Sequence, residues 1–164
     1  MKLTIVPDNG YPARPLLLVL AGLLMLLVAC GAEPGSPRGE EPADPAAVEQ
    51  ALRIGHIVLP PGTQVLGAQA DRGIDQLYRL AVAVEPASVE PLLTGSGFTT
   101  PLERGRKVFT PGVEGFHPDN GSDIASAEDR LPPQPGTPDV VTREVLVDRT
   151  DPARPVVHWW IVGT

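Results

Sequence analysis

The chain of 164 residues contains one cysteine, Cys30, which excludes an internal disulfide and a cluster of thiolate metal ligands. Aromatic residues make up only 4 %, so a folded core has to be built mainly from aliphatic side chains. Positive charge is also in deficit, with 13 Lys and Arg against 20 Asp and Glu and a net charge of −7. Nucleic acid and anionic lipid headgroups both need clustered Lys and Arg, so neither is expected as a partner. No cofactor fingerprint is present, and no cofactor is expected. Long apolar runs are missing from all but one place.

That one run is Leu16 to Ala29, LLLVLAGLLMLLVA, with Lys2 and Arg14 upstream. As a helix it spans roughly 21 Å, short of the roughly 30 Å that a permanent transmembrane span must cross. A basic upstream region, a short apolar stretch and a small residue at its end make up the pattern of a secretory signal sequence. There is no twin arginine, which favours the general secretory route.

The end of the run, Leu27-Val28-Ala29-Cys30, resembles the lipobox of bacterial lipoproteins at all four positions. The resemblance implies cleavage between Ala29 and Cys30 and a diacylglyceryl group, with palmitate among its acyl chains, on the Cys30 sulfur. A thiol is the best side-chain nucleophile for taking that group, and Ala29 is small enough to let a peptidase reach the bond. Two or three acyl chains hold a protein durably where one does not. The expected location is the extracytoplasmic face of the cell membrane. Arginine far outnumbering lysine, with abundant Ala, Pro, Gly and Val, is similar to lipoproteins of high-GC Gram-positive bacteria.

Without residues 1–29 the chain keeps 11 basic and 19 acidic side chains, a formal charge of −8. Residues 30–45 are rich in proline, glycine and acidic groups and cannot bury enough apolar surface to offset the entropy of ordering, so they read as a tether. The remainder, 46–164, is enough for one modest core. A single α+β domain is expected, an antiparallel sheet of about five strands with one or two short helices.

Asp44-Pro45 is a helix start, an N-cap carboxylate followed by proline at the first helical position, and Val48, Ala51 and Leu52 give an apolar face up to about Arg53. Strands are expected at Ile54–Leu59, Thr63–Ala70 and Gln76–Val84. The last alternates cleanly, with Tyr78, Leu80, Val82 and Val84 on one face. Ser88 is placed to cap a second short helix, with Val89, Leu92 and Leu93 inward and Gly95 as its left-handed terminator. Residues 99–138 return to proline, glycine and charge and read as one long irregular loop. Val140–Asp148 and Val156–Val162 then form a closing hairpin, whose last strand is apolar on both faces and therefore central.

Four groups of residues are candidates for chemistry. Trp159 and Trp160 are neighbours on a strand and must point to opposite faces, so one of them is a candidate for stacking on a ligand such as a sugar ring. His117-Pro118-Asp119-Asn120-Gly121-Ser122-Asp123 is dense in oxygen ligands but fails the EF-hand template, with Ile124 where glycine is needed and Arg130 where a bidentate glutamate belongs. An Asn-Gly turn explains its composition, and no metal is expected. Thr94-Gly95-Ser96-Gly97 lacks the lysine of a phosphate loop and the first glycine of a nucleophile elbow. His56, His117 and His158 have no metal-ligand spacing.

No set of catalytic residues is expected from these patterns. The leading expectation is a non-catalytic envelope protein that binds or scaffolds, anchored through Cys30. The alternatives are a carbohydrate or cell-wall binding module using an exposed tryptophan, and a small hydrolase with its site in residues 99–138.

Overall fold

The computed structural model describes residues 43–73, 75–133, 135 and 140–164. The expected signal sequence, with Ala29 and Cys30, lies outside the described residues. Among these residues six strands form one antiparallel sheet: β1 (Gln64–Arg72), β2 (Gln76–Ala83), β3 (Glu103–Arg104), β4 (Ile124–Leu131), β5 (Val141–Asp148) and β6 (Val156–Gly163), in the order β1-β2-β6-β5-β4-β3. Among the described residues, two α-helices, α1 (Pro45–Gly55) and α2 (Val89–Gly95), lie on one face. The irregular segment around Val108, Pro111 and Val113 covers part of the other.

The first helix starts as its sequence dictates. The Asp44 carboxylate accepts from the Ala46 N–H at 3.0 Å, and Pro45 takes the position where a missing N–H does no harm. It continues to Gly55, so Ile54–Leu59 is not a strand. Two features stop it there: His56 turns left-handed at φ 51°, and the Ile57 N–H bonds back to the Leu52 carbonyl at 2.9 Å. The apolar run at this point is a helix end and a buried exit, with Ile54 and Ile57 both in the core.

Helix α2 differs from expectation at both ends. A 3-10 turn over Pro86–Ser88 precedes it, and the Ser88 hydroxyl makes no capping bond. Its left-handed residue is Gly97, not Gly95, and the Phe98 and Gly97 N–H groups bond back to Leu93 and Thr94 at 2.9 Å each. This is the paired return bonding that ends a helix when glycine sits one residue past the cap.

The sheet turns Leu80, Val82, Val145, Val147, Val157, Trp159 and Ile161 toward the helices, and the register sets Leu80 and Val145 on either side of Trp159. β6 lies between β2 and β5, and a strand apolar on both faces needs such a covered position. Two strands, the short β3 and the full-length β4, lie in residues 99–138, which read as loop. β4, IASAEDRL, is poor in β-formers and carries three charges, yet it pairs with β5 along its whole length.

The charge in β4 is explained by β5. Arg143 is completely buried on the helix side, and its Nε and Nη2 clasp the Asp129 carboxylate at 2.8 and 2.5 Å. Its Nη1 donates to the carbonyls of Gly55 at 2.9 Å and Ser96 at 2.8 Å, the last turns of α1 and α2. Both acceptors sit at the negative end of a helix dipole. The guanidinium also lies over the rings of Phe98, 5.3 Å from its centroid, and Trp159, 5.9 Å from its centroid.

Replacing Arg143 by methionine should cost about 3–5 kcal/mol, because a partly buried carboxylate and two buried carbonyls lose their donor together. Arg143→Lys should fall between methionine and wild type, since a single ammonium cannot reproduce the planar fork. Urea denaturation checks both, and a lysine variant as stable as wild type would show that charge alone suffices. His56→Gly should raise stability by roughly 0.5–1 kcal/mol, because glycine adopts the left-handed conformation without a Cβ penalty. An unchanged urea midpoint would show that the histidine side chain makes up for its own strain.

Candidate functional site

The two tryptophans point to opposite faces as strand geometry requires, and both faces are covered. Trp159 is 0 % exposed and packs edge-on against Phe98 at 5.7 Å, while Trp160 is 2 % exposed and donates its indole N–H to the Pro111 carbonyl at 2.9 Å. Neither offers a ring face to a ligand, so the expected stacking role of Trp159 and Trp160 is corrected to core packing. The segment around Val108, Pro111 and Val113 accounts for the second burial, closing over part of the side of the sheet opposite the helices.

The other candidates also resolve into structural roles. Ser96 is buried, its hydroxyl donates to the Leu92 carbonyl at 2.6 Å and accepts from the Val58 N–H at 3.0 Å, so it is a helix-end brace. In the His117–Asp123 segment, a 3-10 turn over Pro118–Asn120 is followed by Ser122, whose N–H donates to the Thr150 hydroxyl at 2.8 Å. Gly121 lies against the Asp148 carboxylate and Ile124, where a side chain would collide with both. The segment is thereby fastened to the β5–β6 turn. Among the described residues no group of three His, Asp or Glu side chains is arranged to hold a metal ion, and no histidine lies within 4 Å of a carboxylate oxygen.

His158 is on the loop-covered face, set between Ala81 and Leu146 by the register and stacked on Trp160 at 6.0 Å. Its Nδ1 is buried without a hydrogen-bond partner. Burial pushes its pKa down to about 4, against the weaker opposing pull of Asp148. Nearby on β5, Glu144 pairs with Arg106 at 3.2 Å, and burial still raises its carboxyl above the ordinary value despite that cation, with Glu128 adding to the rise.

The surface feature that remains is an open cleft of about 740 Å³ where β1 meets the loop. Its floor includes Arg79 on β2, which pairs with Asp71 on β1 and donates to the Gly112 carbonyl at 3.2 Å. The loop can come this close because β1 is bulged between Val65 and Gly67, and a Cβ on Gly67 would stand 2.5 Å from the Val113 side chain. Glu114 and His117 line the loop side, and Phe109 stands on the rim with 91 % of its surface exposed. On the other side of the same strand is a shallower groove of about 550 Å³, lined by Ala43, Pro45, Val48, Glu49, Leu52 and Val65. Sequence reasoning missed both grooves, since the residues that form them are scattered through the chain and bear no motif.

Compared with protein-family models, with curated proteins and with solved structures, the chain finds no match in any of the three. The cleft beside β1 has polar walls and an exposed aromatic ring at its rim.

The sign of the His158 effect follows from its lowered pKa. Between pH 6.5 and about 4 the unfolded chain binds a proton that the folded chain does not, so this contribution to stability is complete above 6.5 and is lost as pH falls through that window. The slope is roughly 1.4 kcal/mol per pH unit. His158→Phe should keep the ring stack, remove the unpartnered nitrogen and flatten the acid limb. Urea midpoints at pH 7 and pH 5 for both proteins measure it, with the Glu144 contribution common to both. Parallel losses on acidification would show that His158 is not responsible.

Proposed function

We propose that the chain is a lipoprotein of the cell envelope, anchored on the extracytoplasmic face through lipid on Cys30, whose folded domain binds or scaffolds a partner without catalysing a reaction. The observation that carries this reading is Leu27-Val28-Ala29-Cys30 at the end of a fourteen-residue apolar run. A thioether-linked diacylglyceryl group there would replace a membrane-spanning helix, and among the described residues no helix is long and apolar enough to cross a membrane. The thirteen residues from Gly31 to Ala43 would let the domain stand at most roughly 45 Å from the bilayer at full extension.

The binding part of the reading is supported by the cleft beside β1 and by the exposed Phe109 on its rim. The carbohydrate-binding alternative has no support left in the indoles, both of which are core residues. The hydrolase alternative lacks the paired histidine and carboxylate it would need among the described residues. A protein of the envelope is the kind of partner these surfaces favour.

Cys30→Ala tests the anchor. Cells fed labelled palmitate should incorporate it into the wild-type chain and not into the variant, and fractionation should move the variant out of the membrane pellet. Equal label or equal membrane retention in the two would sink the assignment.

A further inference from the structure

The two ends of the sheet are finished differently. At one end β4 is covered from Ile124 to Ser126, by the two residues of β3 and the Gly105 N–H that follows them, and further along its outer edge it carries Glu128, Asp129 and Arg130. Charges along an open edge discourage another strand from pairing with it. At the other end β1 presents nine residues, of which Gln64 to Ala70 are uncharged. Among the described residues no other backbone bonds to its outer edge. A long edge without charges is a template for strand addition.

The surroundings of β1 specify what such a strand would look like. Side chains of an added strand alternate between the two faces of the sheet. On the helix side they would meet the groove of Ala43, Pro45, Val48, Leu52 and Val65, whose lining is mainly apolar. On the loop side they would meet the cleft, where Asp71 and Glu114 stand beside Phe109. Counting both grooves, four carboxylates, of Asp44, Glu49, Asp71 and Glu114, face one guanidinium, that of Arg79, which already serves Asp71 and Gly112.

We infer that the outer edge of β1 receives an extended segment of a partner protein in which apolar residues alternate with Lys or Arg, the apolar ones entering the helix-side groove and the basic ones the acidic cleft beside Phe109. Main-chain hydrogen bonds to β1 give the affinity, and the two grooves read the alternation. A second copy of this chain fits less well, because it brings the same carboxylates to the seam and a net negative charge of its own. This deepens the binding reading and does not depend on the lipid at Cys30.

The experiment uses the full chain in detergent and three labelled synthetic octapeptides: valine alternating with lysine, valine alternating with glutamate, and four valines followed by four lysines. Fluorescence anisotropy should show the alternating valine-lysine peptide binding at least about tenfold tighter than the other two, with affinity falling as salt rises. Hydrogen exchange should show new protection at the alternate amides between Val65 and Ala70 that point away from β2. Glu114→Lys and Phe109→Ser, both at exposed positions, should each weaken binding by about fivefold while leaving the melting temperature unchanged.

Three results would overturn the inference. Equal binding of all three peptides would remove the groove chemistry. Protection confined to another surface would move the partner site and leave the binding reading standing. Protection of the β1 amides that point away from β2 before peptide is added, whether it grows with protein concentration as for a dimer or does not as for the chain's own residues 31–42, would assign the edge to this protein itself.

Discussion

A guanidinium withdrawn from water must be given a counter-charge and acceptors for its N–H groups, and Arg143 obtains the charge and four hydrogen bonds by drawing four separate parts of the chain to one point. The Asp129 carboxylate on β4 supplies the charge, the carbonyls of Gly55 and Ser96 close the last turns of both helices, and Phe98 and Trp159 lend their ring faces. The positions of α1 and α2 on the sheet follow from this. Aliphatic packing by itself lets a helix slide along a sheet, because burial is non-directional. Two carbonyls held at hydrogen-bonding distance from one planar group do not slide. Ser96 extends the same junction, since its hydroxyl takes the Val58 N–H and so fixes the chain leaving α1 against the end of α2.

This junction also explains where sequence reasoning succeeded and where it did not. Periodic burial was legible: the alternation of Tyr78, Leu80, Val82 and Val84, the central position of β6, and the Asp44-Pro45 helix start are local patterns that the tertiary structure had no reason to override. β4 was not legible, because its central acidic residue belongs to an arginine 14 positions away and looks like loop composition when read alone. The error at Ile54–Leu59 has a similar source. A helix whose end is secured by Arg143 runs on through Gly55, and the apolar residues that follow are buried as an exit from the helix, not as a strand.

The candidate site was less visible than the fold. Trp159 and Trp160 drew attention because one of two adjacent strand residues must face away from the helices, and that inference about direction was sound. What the sequence does not reveal is that an irregular segment can serve as a second covering layer. Val108 and Val113 fill space there, and the Pro111 and Gly112 carbonyls accept from Trp160 and Arg79, so a loop with few apolar residues still buries an indole.

The two covering layers are fixed with unequal strength. On the helix side a buried ion pair, two helix ends and a continuous apolar cluster are interlocked. On the loop side, separate hydrogen bonds and a smaller cluster around Val108, Ile124, Leu146 and Trp160 hold a segment that has little secondary structure of its own. Regions with fewer buried contacts open at lower free energy than the core. The cleft beside β1 has one wall of each kind, a strand paired along its length and a loop held by separate hydrogen bonds. A ligand seated there could shift Phe109, Glu114 and His117 without disturbing Arg143, so adaptation at the surface and stability of the core are separated by the thickness of the sheet.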